Sequence, residues 1–393
     1  EEGYSSIDEW GQFFLRKHAL FGSDNCRMDR GKPFPTLNPY VIVKDLGGGS
    51  YLLERNPYFY MVDHEGNQLP YIDAIRRDYV ADAEMQDMSI ISGKVDLSCM
   101  SISIASYPLY KEHEQEGKYR TLLLNDWQDQ LFIVGFNEFA GIKPPILKSV
   151  KMVPIEEPVS EDAYDPGISQ VYSDVRFRRA MSLALDRKTM IEILFMGLGR
   201  PAQVAPRRGS PYYVEGMDEA YIEYDPERAK ALLDEMGMVD RDGDGWRERP
   251  DGKPFTMKFE YFVITGASTP GSELCKRYWE DVGIKVDLRQ VDVPYWFSVL
   301  QANNINEATT WWLAGADANL LQNWFLGPSM LVPLWNRYTT YKGLVSEEDW
   351  QLILQYVPEW QREMQELKMQ LRAEADQQKR VEIAKRMWQL QAE

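Results

Sequence analysis

Cysteine and histidine are scarce. Cys26, Cys99 and Cys275 are the only cysteines in 393 residues. They are odd in number, far apart and without a C-x-x-C pair, so they form neither a disulfide framework nor a thiolate zinc site. His18, His64 and His113 are the only histidines, and no two stand at metal-ligand spacing. Basic residues are also short: 44 Lys+Arg face 61 Asp+Glu, a net charge of −17. Such a surface repels phosphate backbones, which argues against a nucleic-acid partner, and it offers no polybasic patch for anionic lipid. No apolar run is long enough to span a bilayer. The opening "EEGYSSIDEWGQFF" is acidic and lacks a basic start followed by an apolar stretch, so it does not read as a signal peptide. The protein is therefore cytosolic, or its targeting segment lies outside this chain.

Catalytic signatures are missing too. "DLGGGSY" has no following Lys-Ser/Thr and is not a P-loop; G-x-S-x-G and H-E-x-x-H do not occur. Glu156-Glu157 and Glu347-Glu348 are adjacent acids on loops or solvated faces, not a glycosidase pair. With no nucleophile, base or metal constellation, an enzyme is disfavoured against a binding protein.

What is present is a large apolar and aromatic content. Hydrophobic residues make up 44 % and aromatics 12 %, enough for a sizeable core, and the length suits two domains or a domain with a large lobe. Residues 5–21 read as a helix. "NPYVIVKDL" and "YLLERNPYF" read as a strand pair about a "GGGS" turn, "IDAIRRDYV" as a strand, and Met85, Met88 and Ile91 as a helical face closed at Gly93. "KVDLSCM" alternates like a strand, and "LFIVGFN" reads as a fully buried one. A Pro- and acid-rich loop follows. Asp174 then caps a helix with Phe177, Ala180, Met181 and Ala184 inside, Asp186 caps a second that stops at Gly197, and Asp225-Pro226-Glu227 opens a third that ends at Gly237. "GSELCKRYWEDVG" is a helix and "IKVDLRQVD" a strand, which predicts a crossover and some parallel pairing. Residues 346–393 are largely helical, with Trp350, Ile353, Leu354, Val357 and Trp360 as a core stripe.

"DRDGDGWRERPDG" resembles a calcium loop, since Asp240, Asp242 and Asp244 alternate before a glycine. An EF-hand needs a departing helix and a bidentate Glu at position twelve, where this chain has Asp251 in a "PDGK" turn. "WRER" and "PFTMKFEYF" read instead as a hairpin. Two readings remain: a structural Ca²⁺ on the three aspartates, or a solvated Asx-Gly turn.

Several aromatics cluster in polar sequence: Trp127 in "NDWQDQ", Tyr295-Trp296-Phe297, and Trp311-Trp312 in "ATTWWLAGAD". A given tryptophan more often belongs to a core, yet flat rings beside carboxamides and carboxylates also suit a cleft for sugars or peptide side chains. Asp317 follows the Trp pair and can meet a cationic group or simply serve a turn.

Five ordered segments resemble the extracellular solute-binding proteins of family 5: "YLLERNPYFYMVDHEGNQLPYIDAI", "ISGKVDL", "SDVRFRRAMSLALDRKTMIEILFMGLGRPAQ", "YDPERAKALLDEMGMVDRDGDGWRERPDGKPFTMKFEY" and "YWEDVGIKVDLRQVD". "FNEF", with Asn137, leads into a linker between the second and third. The resemblance implies an α/β, periplasmic-binding-protein-like bilobed fold (class II, the large form with an extra domain), present here as a partial chain. It implies residues 1–135 as the remainder of lobe I with an entering segment, and 136–393 as the second large lobe. It further implies no enzymatic activity, a ligand enclosed between lobes, and a monomer delivering an oligopeptide, or alternatively an oligosaccharide, to an ABC permease. The setting would be periplasmic or extracellular, with the tether on a segment outside this chain. The ligand residues so implied are Trp127, Asn137, Trp311, Trp312 and Asp317, the last for a peptide amino terminus. No cofactor is implied beyond the possible structural calcium. A calcium-stabilised interaction protein reusing the fold is the reading from another class.

Overall fold

The computed structural model describes residues 36–80, 82–98, 102–123, 130–138, 140–142, 148–149, 164–263, 266–296, 308–313, 343, 345–355, 357 and 359–392. By packing, the chain divides into two compact units: residues up to Leu97 with 116–118, and Ser98–Gln115 with Tyr119 onward. The expected division at residue 135 falls inside a strand, β4 below.

The smaller unit holds an antiparallel sheet, β1 (Tyr40–Gly47), β2 (Ser50–Arg55) and β3 (Ala74–Arg77), in that order. Gly47 pairs with Ser50 across the expected turn. Gly47, Gly48 and Gly49 all take positive φ (83°, 61° and 84°), a backbone path that only glycine follows without steric cost. Helix α1 (Ala83–Ile91) is capped by Asp82, whose carboxylate accepts from the Met85 amide. Its buried residue is Ile90; Met85 and Met88 point outward at 53 % and 63 % exposure, so the expected Met85–Met88 face is not the packed one. Residues 94–98 form no strand, contrary to the alternation of "KVDLSCM".

In the larger unit, helix α2 (Tyr107–Glu112) precedes a mixed sheet of order β4 (Gln130–Phe136), β7 (Ala308–Leu313), β5 (Met257–Tyr261), β6 (Val286–Gln290). β4 runs antiparallel to β7, while β7, β5 and β6 are mutually parallel. β5, α7 (Ser268–Glu280) and β6 form the expected crossover. β4 is an edge strand whose Phe132, Val134 and Phe136 are half-buried rather than enclosed on both faces.

One face of this sheet is covered by helices, each started by an aspartate: α3 (Pro166–Ser173) by Asp165, α4 (Val175–Leu183) by Asp174, α5 (Arg187–Phe195) by Asp186 and α6 (Pro226–Glu235) by Asp225. Each carboxylate accepts an orphan N–H of the first turn. Phe177, Ala180, Met181 and Ala184 are buried, as their spacing predicts. They pack with Leu233, Met257, Phe259, Trp279 and Val286 into the main core.

The "WRER" segment is not a strand, so the expected hairpin does not form. The reason lies in the sheet: both edges of β5 are taken, by β6 and by β7. The Arg247 and Glu248 amides turn instead to the carbonyls of Gly283 and Val239.

α8 (Glu347–Leu354), α9 (Glu359–Ala373) and α10 (Gln377–Ala392) close the chain. Ile353 and Val357 are buried, and Trp350, Leu354 and Trp360 half-buried, as expected of a core stripe. Met364 and Leu371 of α9 join Met387 and Trp388 of α10 in a second core, which Ala205 and Met217 of a long loop complete. α8 is stapled to distant sequence: buried Asp349 accepts from the Lys148 amide at 3.0 Å and the Ser149 amide at 2.6 Å. The Ser149 hydroxyl, followed by these amides, holds the Asp349 carboxyl down at about 2.

Candidate functional site

The parallel strands set one functional edge. β5 and β6 end level at Tyr261 and Gln290, while β7, whose Ala308 is level with Phe259, runs on past them to Leu313. In open sheets with parallel strands, ligands lodge outside the carboxyl ends. Trp311 and Trp312 lie in the last three residues of β7, and Trp311 pairs through its backbone with Ile133 of β4. Trp127 and Asp317, together with the 5–21 helix, lie outside the described residues.

Asn137 sits at the other end. It follows Phe136, which pairs with Ala308, the first residue of β7. Four strand positions separate it from the residue opposite Trp311, roughly 14 Å. It is 3 % exposed, and its carbonyl accepts from the Ala140 amide. Next to it, Glu138 meets Arg178 at 3.4 Å, and burial pushes the Glu138 carboxyl up despite that cation. The structure thus separates Asn137 from the Trp pair.

The second face of the sheet, away from the main core, has its own organisation at the carboxyl edge. Strand alternation places Phe259 and Ala308 in the core, and so Glu260 and Thr309 on the opposite face. The Asp292 carboxylate accepts from the Tyr295 amide, and its carbonyl from the Trp296 amide, forming a turn just past β6. Trp296 is fully buried there. Its indole N–H donates to the Thr309 hydroxyl at 3.0 Å, and its ring meets Phe262 edge-on at 5.1 Å. Trp296 is therefore a packing tryptophan, whereas Tyr295 is 39 % exposed.

Beside Thr309 stands Glu260, the penultimate residue of β5. It is 1 % exposed, and its Oε2 has no hydrogen-bond partner. Burial raises its carboxyl above the ordinary range, with Arg289 and Lys258 opposing and Asp287 reinforcing. Arg289 pairs with Glu260 across the ladder, but its guanidinium is engaged by Asp287 at 2.5 Å. The sequence hid this residue: "MKFEY" puts Glu260 at a polar position of an alternating strand, which normally means a solvated one.

At the Asp240–Asp244 loop, the three exposed carboxylates each offer an oxygen within 4.8 Å of the others. Those oxygens also serve the loop. Asp240 accepts from the Gly243 and Gly245 amides, Asp242 from the Asp244 amide and Asp244 from the Trp246 amide. A cation would compete with these bonds and gain no neutral carbonyl cage from a departing helix. We expect millimolar EGTA to leave the melting temperature of the protein unchanged; a clear drop, reversed by Ca²⁺, would restore the calcium reading.

Comparison with known proteins places these features in a family. The model of "Bacterial extracellular solute-binding proteins, family 5 Middle" matches residues 18–329. A probable ABC transporter-binding protein of Deinococcus radiodurans is 23 % identical over 283 residues, covering 68 % of this chain and 42 % of that protein. The periplasmic alpha-galactoside-binding protein of Rhizobium meliloti is 25 % identical over 222 residues, covering 56 % and 29 % respectively. The solved oligopeptide-binding protein OppA superposes with a TM-score of 0.57 at 26 % identity, covering 100 % of this chain and 59 % of its own. The chain thus spans less than half the length of these two sequence relatives.

Proposed function

Because the chain belongs to the bacterial extracellular solute-binding proteins of family 5, we propose that it is the ligand-capturing part of an ABC importer subunit that binds oligopeptides and hands them to a membrane permease. The observation that carries this reading is the edge where β5 and β6 end level and β7 runs on past them with Trp311-Trp312. Tryptophans there supply flat apolar surface to a bound chain, and Asp317, a few residues on, supplies a carboxylate for a peptide ammonium. Trp127, three residues before β4 begins, is assigned to the same ligand in this reading. Asn137, buried at the far end, acts in this reading through the frame rather than through the ligand. The protein works outside the cytoplasm as a monomer, tethered through a segment beyond these residues.

The oligosaccharide reading is favoured by one observation, the similarity to an alpha-galactoside-binding protein. Ligand released on denaturation and identified by mass spectrometry separates the two. Asp317→Ala is expected to weaken peptide binding about tenfold, the worth of one charge-assisted hydrogen bond, without lowering the melting temperature. Unchanged calorimetric affinity for every peptide tested would remove Asp317 from the site.

A further inference from the structure

We propose that Glu260 is a specificity-determining residue, whose carboxyl accepts hydrogen bonds from a cationic group of the ligand, an ammonium or guanidinium, entering at the carboxyl ends of β5 and β6. The inference rests on the ligand-edge reading above and names the chemistry that edge selects.

Three observations carry it. Position comes first: Glu260 is one residue from the end of β5, on the face shared with Thr309, and β7 runs from Thr309 to the tryptophan pair within three residues. The second is that the fold leaves one oxygen of this acid unused. Its Oε2 is buried without a donor, the Trp296 indole donates to Thr309 instead, and Arg289 is committed to Asp287. An apolar residue of similar size would be the more stable choice, since a buried unpaired acid loses hydration and gains no partner. The third is charge. The chain carries a net −17, which concentrates cations around it.

Among the described residues, the helical turn 293–296 lies over this face, and its Val293 and Tyr295 are already 43 % and 39 % exposed. Displacing that helical turn brings Glu260 to the edge. A ligand cation then supplies the missing donor and offsets the burial that raises the carboxyl.

The test uses the 393-residue protein and its Glu260→Gln variant, titrated calorimetrically with trilysine, with trilysine acetylated on its three side-chain amines, and with raffinose, a neutral sugar. Wild type should prefer trilysine to the acetylated form by about tenfold, as expected for a charge-assisted contact. Glu260→Gln should abolish that preference while its melting temperature stays equal or rises. The melting temperature separates loss of the contact from loss of the fold. If the variant keeps the preference, the inference fails and the functional reading stands. If wild type prefers raffinose, the cationic class is wrong even where Glu260→Gln weakens binding. If wild type binds none of the three, the ligand-edge reading falls and this inference with it.

Discussion

Trp279→Ala is expected to destabilise the larger unit by about 3–5 kcal/mol. Trp279 lies on α7, the crossover helix between β5 and β6, and is fully buried. Its ring contacts Phe259 of β5 at 5.3 Å and Phe136 of β4 at 5.8 Å between centroids. Phe136 in turn stacks on Tyr172 of α3 and meets Phe177 of α4 edge-on. One side chain therefore joins a central strand, an edge strand and the helical layer. Its indole N–H also donates to the Met181 carbonyl at 3.0 Å, in the last turn of α4. Truncation removes the apolar burial, opens a cavity lined by rigid rings and leaves that carbonyl without its donor. Trp279→Phe keeps most of the volume and should cost about 1–2 kcal/mol, the share of the hydrogen bond and the residual gap. Urea unfolding followed by far-UV circular dichroism measures both. A loss under 1 kcal/mol for the alanine variant would mean that the aromatic cluster repacks and is not a shared support.

Arg249→Ala should cost about 2–3 kcal/mol, below the full cost of breaking an enclosed ion pair because the partners retain contact with solvent. The guanidinium is 3 % exposed. Nη1 lies 2.9 Å from Asp165, and Nη2 lies 2.9 Å from Asp251. Asp165 is also the cap of α3, accepting from the Gly167 amide at 3.0 Å. The arginine thus ties the start of α3 to the turn that precedes β5. Burial alone would raise the Asp165 carboxyl; the Gly167 amide and Arg249 outweigh it and hold it below its usual 3.8. The sign follows from that direction. A depressed folded pKa gives stability that is present above the unfolded value and lost as pH falls through the folded one. The gap between wild type and Arg249→Ala should therefore be full at neutral pH and shrink below about pH 4. Arg249→Met restores volume without charge. Melting at pH 7 and pH 3 decides the matter: a gap that persists unchanged in acid would assign the loss to packing rather than to the ion pairs.

Much of this protein was legible before any coordinates. The aspartate caps at 174, 186 and 225 were readable because an N-cap is a local device, fixed by a short polar side chain and the next three amides. The β5–α7–β6 crossover was readable because strand and helix periodicities change within one stretch and glycine marks the joins. The family resemblance came from ordered segments of this local kind. Tertiary structure decided what depends on neighbours distant in sequence. "WRER" looked like a hairpin strand, yet β5 had no free edge, because β7 arrives from some fifty residues further on. Met85 and Met88 looked like a packed face, but Ile90 is the residue covered. Asn137 and Trp311 looked like members of one site, but the antiparallel register of β4 on β7 puts them toward opposite ends. Glu260 holds a polar position in the alternation of β5 yet is buried, because the turn after β6 brings Trp296 across to Thr309 on the same face. The sequence by itself determined the elements and the family, since capping, periodicity and turn chemistry act over a few residues. Which strands paired, which ends met and which acid lost its water were settled only when separate segments competed for the same sheet edges and the same buried space.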